Sequence, residues 1–167
     1  PSARIAPNPD LELATAGSDR FAAAAGAIRL VESGQSAVVI CAGTALTVES
    51  VCANGSRWIW EGGVIAPGPT LLRRSLPDHT AALPLVDWPE GAPRSIGHTT
   101  PEAMQNGLAG LFAGGVSELV RRAAAALPGS PLVVATGGWS SWLAEHTRVI
   151  SRVEPTLILD GVRELAS

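Results

Sequence analysis

Residues 36–68 constrain the fold most strongly. They read SAVVICAG, TALTVESVCA, NGS and RWIWEGGVIAPG. Three strand-length runs of β-branched and aromatic residues are divided by a Gly-Thr turn at 43–44 and an Asn-Gly-Ser turn at 54–56. Connections this short join antiparallel neighbours, so the segment is expected to form a three-stranded meander. The first run is a short buried strand, and the second shows period-2 alternation after Ala45. In the third, Gly62-Gly63 marks a bend or a close backbone approach. Cys41 and Cys52 fall on paired strands without a metal-type spacing, and no disulfide framework is expected.

Around the meander the periodicity changes. Residues 1–16, opening PSARIAPNPDLEL, form an extended lead-in, and the domain proper is assigned to 17–167. GSDRFAAAAGAIRLVES is expected to be a helix capped by Ser18 or Asp19 and running through the alanines to Gly34. GPTLLRRSLPDHTAALPLV reads as a short helix followed by a proline-containing loop, and DWPEGAPRSIGHTT as loop. PEAMQNGLAGLFAGGVSELVRRAAAAL is the best helix, with Thr100 at its N-cap, Pro101 in the first turn and Glu102 in the favourable acidic position. PLVVATGGW is a buried strand entering a glycine turn, SSWLAEHT a helix, RVISRVEP a short strand and TLILDGVRELAS a closing helix. This order is that of an α/β, ribonuclease H-like half of the actin and sugar-kinase ATPase architecture: a three-stranded antiparallel meander extended by further strands and flanked by helices. Such kinases use two halves, and one is visible in this chain.

Composition removes several functions. Hydrophobic residues make up 46% and charged residues 16% of the 167, with a net charge of -3. All 12 basic residues are arginine. Without lysine there is no Walker-type Gly-Lys-Ser/Thr loop and no lysine Schiff base. The arginines are scattered rather than striped, which argues against a nucleic-acid footprint. The apolar runs are too short and interrupted to span a bilayer, and the N-terminus lacks the basic and apolar regions of a signal peptide. A cytoplasmic protein is expected.

Several short stretches carry chemistry. In the strand-turn-strand at 38–51, Gly43 lets phosphate oxygens approach the backbone, and Thr44 offers an amide and a hydroxyl; an ordinary hairpin is the plain alternative. In GSDR, Asp19 could accept a proton from a substrate hydroxyl, and Arg20 could hold a carboxylate by two parallel hydrogen bonds. The plain alternative there is a helix cap beside a solvated arginine. ATGG follows a buried strand, at the strand end where α/β sheets place ligands, with Thr136 expected to face that edge. The five tryptophans point to core or interface packing.

The series GSDR, VVICAGTALTVESV, GGVIAPG, TAALP, GHTTPEAMQNG, VVATGG and PTLILDGV, in this order, closely resembles type III pantothenate kinase, a family that includes proteins called Bvg accessory factors. The resemblance runs from about Gly17 to the C-terminus. It implies ATP-dependent phosphorylation of pantothenate to 4'-phosphopantothenate, the first step of coenzyme A synthesis. It further implies magnesium-bound ATP, a monovalent cation (potassium or ammonium) and a homodimer with the pantothenate pocket near its interface. The family's GADR matches Gly17, Ser18, Asp19 and Arg20. This places its general base on Asp19 and its pantothenate-binding arginine on Arg20. Its ATP-contacting threonine falls on Thr44, beside Gly43, and its pantothenate-contacting threonine on Thr100.

The chain departs from the family pattern at four points. Cys41 stands where the family carries its cation-binding aspartate, Glu49 where it usually has aspartate, and Trp139 where an acidic residue often follows TGG. The family's N-terminal half, with its DxGNT phosphate loop, has no counterpart in residues 1–16. The 167 residues alone are therefore expected to be inactive. The alternative reading is a weak or inactive homologue that acts as a binding or regulatory accessory protein.

Overall fold

The computed structural model describes residues 4–166. Residues 1–3 of the expected lead-in and Ser167 of the expected closing helix lie outside that range. Eleven elements follow in chain order: β1 (Ile5–Pro7), α1 (Ser18–Ala27), β2 (Ala37–Ala42), β3 (Ala45–Asn54), β4 (Arg57–Pro67), α2 (Pro69–Ser75), α3 (Thr100–Ala125), β5 (Leu132–Thr136), α4 (Ser140–His146), β6 (Arg152–Val153) and α5 (Leu157–Ala166). One six-stranded sheet is ordered β1-β4-β3-β2-β5-β6. The meander β2–β3–β4 is antiparallel, as its turns require, and β5 and β6 extend it in parallel beyond β2. The fold is the mixed α/β arrangement expected from the element order.

Each strand's pattern follows from what covers it. β2 is apolar almost throughout because helices cover both sheet faces. Val39 packs into a core with α1 and α5, whereas Val38, Ile40 and Ala42 pack into a second core with α3 and α4. β3 alternates between the same two layers. Leu46 and Val48 enter the α3 core, and Val51 enters the α1 core. Glu49 shares the phase of Val51 and is 0% exposed.

The alanines of α1 bring its backbone against that of α5. A Cβ on Gly26 would lie 2.1 Å from the Leu157 carbonyl oxygen, and one on Gly161 would lie 1.7 Å from that of Ala22. Only glycine permits such an approach.

Several boundaries differ from the sequence expectation. Within the lead-in, Ile5–Pro7 pairs in parallel with Trp58–Trp60 at the sheet edge, where Pro7's missing N–H is tolerated. Helix α1 stops at Ala27 rather than Gly34, because the chain turns there to place Ile28 in the core at 0% exposure. Its N-cap is Gly17; neither Ser18 nor Asp19 caps it. The N-cap of α3 is Thr99, one residue before the expected Thr100. Its hydroxyl accepts from Glu102 N–H at 3.3 Å, and the Glu102 carboxylate accepts from His98 N–H at 2.9 Å. This resembles a capping box, except that the Glu102 carboxylate reaches the N–H of His98, one residue before the cap, rather than that of Thr99 itself.

Candidate active site

The tight contact between α1 and α5 fixes the start of α1 over the sheet. Gly17 closes the entering turn, its carbonyl accepting from Arg20 N–H at 3.1 Å. A Cβ at Gly17 would sit 2.5 Å from Asp19 Oδ1, so glycine here gives the Asp19 carboxylate its space. Ser18 and Asp19 are exposed, and Asp19 takes no hydrogen bond from a described residue. A free carboxylate at the mouth of a helix is available to a ligand.

Arg20 points the other way, onto the sheet. Its Nε donates to Glu49 Oε1 at 2.6 Å and its Nη2 to Glu49 Oε2 at 2.9 Å. Trp60 Nε1 donates to the same Oε2 at 2.9 Å, and the guanidinium lies 5.5 Å from the Trp60 ring centroid. These hydrogen bonds to Glu49 raise the Arg20 pKa above its ordinary value. Three donors satisfy a carboxylate that has no access to water, which a buried charge requires.

The backbone of β4 makes room for this group. A bulge at Ser50/Val51 leaves Glu61 unpaired, and Gly62 takes φ +88°. A Cβ at Gly63 would fall 2.7 Å from Glu49 Oε2. Sequence reasoning missed this pairing, although a signal was present: Glu49 occupies a core-facing phase of an alternating strand, and a charge there demands a cation.

Cys41 lies on the same sheet face, paired in register with Thr47 and Thr136. Burial pushes its thiol up to about 11, with the Thr47 hydroxyl pulling the other way. The Thr47 hydroxyl is buried without a hydrogen bond of good geometry. A neutral thiol beside an unpartnered hydroxyl does not offer the hard oxygen donors that potassium prefers. The residues present do not fit a monovalent-cation site at this position. Among the described residues no group of three or more His, Cys, Asp or Glu side chains is placed to hold a metal ion.

Two residues beyond Cys41 begins a glycine-rich edge. The Ala42 carbonyl accepts from Trp139 N–H at 3.0 Å, and the Thr44 carbonyl from Gly68 N–H at 2.9 Å. The turns after β2, β4 and β5 are thereby joined. Gly137 adopts φ +94°, and a Cβ on it would meet the Ala42 oxygen at 2.6 Å. Thr44 is exposed and its hydroxyl is free of described partners. Thr136 does not face the edge as expected: it is 2% exposed and donates to the Pro155 carbonyl at 3.4 Å. Trp139, at the N-cap of α4, packs 5.4 Å from Trp88 between ring centroids.

Arg20 is thus held over the middle of the sheet by Glu49, with Asp19 beside it and both within electrostatic reach of Cys41, and Gly43 and Thr44 form the turn that begins two residues beyond Cys41. Thr100 does not join them. It is exposed at the start of α3, which packs on the opposite face of the sheet from α1.

A mixed sheet in this order, covered on both faces and edged by glycine turns where β2 and β5 end, is consistent with an α/β kinase-like fold. The sequence profile of type III pantothenate kinase matches residues 6–122. The chain belongs to the type III pantothenate kinase family. It is 39% identical over 147 residues to the type III pantothenate kinase of Akkermansia muciniphila, covering 88% of this chain and 58% of that protein. The corresponding protein of Roseiflexus castenholzii is 40% identical over 147 residues, with 88% and 55% covered. That of Dehalococcoides mccartyi strain CBDB1 is 37% identical over 147 residues, with 88% and 54% covered. The chain spans little more than half the length of these curated relatives. A crystal structure described as a conserved putative Baf family transcriptional activator from Campylobacter jejuni superposes with a TM-score of 0.63 at 22% identity, covering 93% of this chain and 66% of that one. That likeness supports the fold.

Proposed function

We propose that this chain is the half of a pantothenate kinase that carries the acid–base group and the substrate grip. With the phosphate-loop half it would transfer the γ-phosphoryl group of ATP to pantothenate. The 4'-hydroxyl oxygen attacks the γ-phosphorus as its proton passes to Asp19. The bond from the γ-phosphorus to the β,γ-bridging oxygen breaks, and ADP leaves. Gly43 and Thr44 provide close backbone approach and a hydroxyl for phosphate oxygens. Arg20 faces the pantothenate carboxylate, with Gly17 and Ser18 shaping the turn beside it. Phosphoryl transfer of this kind depends on positioning and charge neutralisation more than on covalent chemistry. Magnesium would be carried by the nucleotide phosphates and would neutralise their charge, since no group of three or more His, Cys, Asp or Glu side chains among the described residues is placed to hold it.

The observation that carries this reading is the pairing of a free, exposed Asp19 with a held Arg20 beside the strand that leads into the Gly43–Thr44 turn. Since α3 packs on the face of the sheet opposite α1, a Thr100 contact with pantothenate would come most simply from a second copy of the chain in a homodimer. The proposed setting is the cytoplasm. No described helix is long and apolar enough to cross a membrane.

A second reading rests on Cys41. A site that lacks a cation ligand fits a homologue that binds these ligands as an accessory protein without turning them over.

The test is phosphorus NMR of the full-length protein with pantothenate, ATP and magnesium, with and without potassium. Appearance of 4'-phosphopantothenate, undiminished without potassium and abolished in Asp19→Asn with folding intact, is the expected result. No product under any condition refutes the kinase reading and favours the accessory one. Normal turnover by Asp19→Asn removes Asp19 as the base.

A further inference from the structure

We propose that Glu49 is a positioning residue: it holds the Nε–Nη2 edge of Arg20 and thereby presents the Nη1 edge as the grip for a ligand carboxylate. The identity of that ligand rests on the function proposed above.

A guanidinium carries its five N–H groups in a rigid planar fork, so fixing one edge fixes the direction of the rest. Glu49 fixes that edge with contacts of 2.6 and 2.9 Å. It is itself immobile, being fully buried on β3 and held by the Trp60 indole N–H at 2.9 Å. No described residue bonds Arg20 Nη1, and the Arg20 side chain keeps 16% of its surface exposed. One edge is occupied and the other is open.

Gly63 borders the same carboxylate. A Cβ there would lie 2.7 Å from Glu49 Oε2, although the β3 backbone, with the Val48 oxygen at 2.1 Å, already demands glycine, so the carboxylate uses space that the close strand approach leaves open. An ion pair this buried is seldom retained for stability alone, because apolar residues of similar volume serve as well. Its further effect is directional. Glu49 also cancels the charge of Arg20, while Asp19 next door is anionic. A ligand carboxylate therefore meets little net attraction, and its recognition depends on the aimed two-pronged contact. Losing the aim should weaken carboxylate binding and leave the nucleotide unaffected.

The experiment compares wild type, Glu49→Gln and Glu49→Asp in the full-length protein. With Gln, an amide NH2 faces one Arg20 donor, and the pantothenate KM should rise about tenfold or more while the ATP KM stays within about twofold. Aspartate restores a two-oxygen acceptor and should bring the pantothenate KM back to within about threefold of wild type. A Glu49→Gln enzyme whose ATP and pantothenate KM rise together, or neither rises, overturns the proposal.

Should the Gln variant fail to fold, wild-type protein decides. The Arg20 Nε–H resonance, assigned by its loss in Arg20→Lys, should be downfield and slow to exchange. Titration with N-acetyl-β-alanine, which carries the carboxylate end of pantothenate, should shift the Arg20 Nη signals and leave Nε–H in place. Displacement of the Nε–H signal, or no response, refutes the assignment. This readout needs no turnover. An enzyme that makes no phosphopantothenate yet shows the expected titration would sink the function and keep the positioning role.

Discussion

Gly161→Ala separates local helix chemistry from tertiary packing, because the two predict opposite signs. In a solvated helix interior, replacing glycine by alanine stabilises by about 1 kcal/mol. Gly161, however, faces α1, where the new Cβ would stand 1.7 Å from the Ala22 carbonyl oxygen and 2.8 Å from Gly26 N. Ordinary contact begins near 3.4 Å, so the two helix backbones must part by roughly 1.5–2 Å. Overpacking costs about 1–3 kcal/mol, and a backbone-on-backbone clash belongs at or above the top of that range. After the helix gain is subtracted, about 2–3 kcal/mol of net destabilisation remains. For a domain of this size that lowers Tm by about 4–12 °C. Near-UV circular dichroism follows the transition, since Phe21 of α1 packs 5.5 Å from Trp60 and reports on this layer. Gly114→Ala in α3, with no heavy atom near its Cβ, is the control and should stabilise by up to about 1 kcal/mol. If Gly161→Ala stabilises as much as Gly114→Ala, the α1–α5 packing described above is wrong.

Cys41 should give a pH signature. Its folded pKa of about 11 lies above that of an unfolded thiol, so its contribution is fully present below about pH 8.5 and is lost as pH rises through 11. The loss should total about 2–3 kcal/mol, be absent in Cys41→Ser, and be measurable by urea denaturation at stepped pH; these residues contain no lysine or tyrosine to titrate in that window. A Cys41 alkylation midpoint near pH 8.5 would contradict it. Thr99→Ala should cost about 1 kcal/mol through loss of the α3 cap, whereas Thr100→Ala should leave stability within about 0.5 kcal/mol; equal losses in thermal melts would return the cap to Thr100.

The meander was legible because turn residues and alternation specify it locally. Strand β5 followed from its buried apolar run, whereas β6, expected over RVISRVEP, is only Arg152–Val153, and the parallel pairing of both strands was not legible in the sequence. β1 was not legible: three residues ending in proline carry no periodicity, and only the exposed edge of β4 makes them a strand. The end of α1 was misjudged because alanine favours helix wherever it occurs, while the turn at Ile28 answers to the core. At the candidate site, the turns at Gly17 to Arg20 and Gly43 to Thr44 were legible as motifs. The partner of Arg20 could not, since it lies 29 residues away and is brought near only when β3 folds under α1. Thr100 read as one more member of the same group, and sequence order gives no hint that a sheet separates it from the others.

The glycine edge consists of three turns, at residues 43, 68 and 137, hooked together by main-chain hydrogen bonds. Such an edge is indifferent to most side chains placed near it and intolerant of length. Exchanging Thr44 alters a donor and leaves both hooks intact, but inserting one residue into any of the three turns releases its neighbour. If this edge receives phosphates as proposed, exposed positions such as Thr44 can be exchanged, whereas Gly68 and Gly137 have no room for a Cβ and the spacing of the loops must be kept.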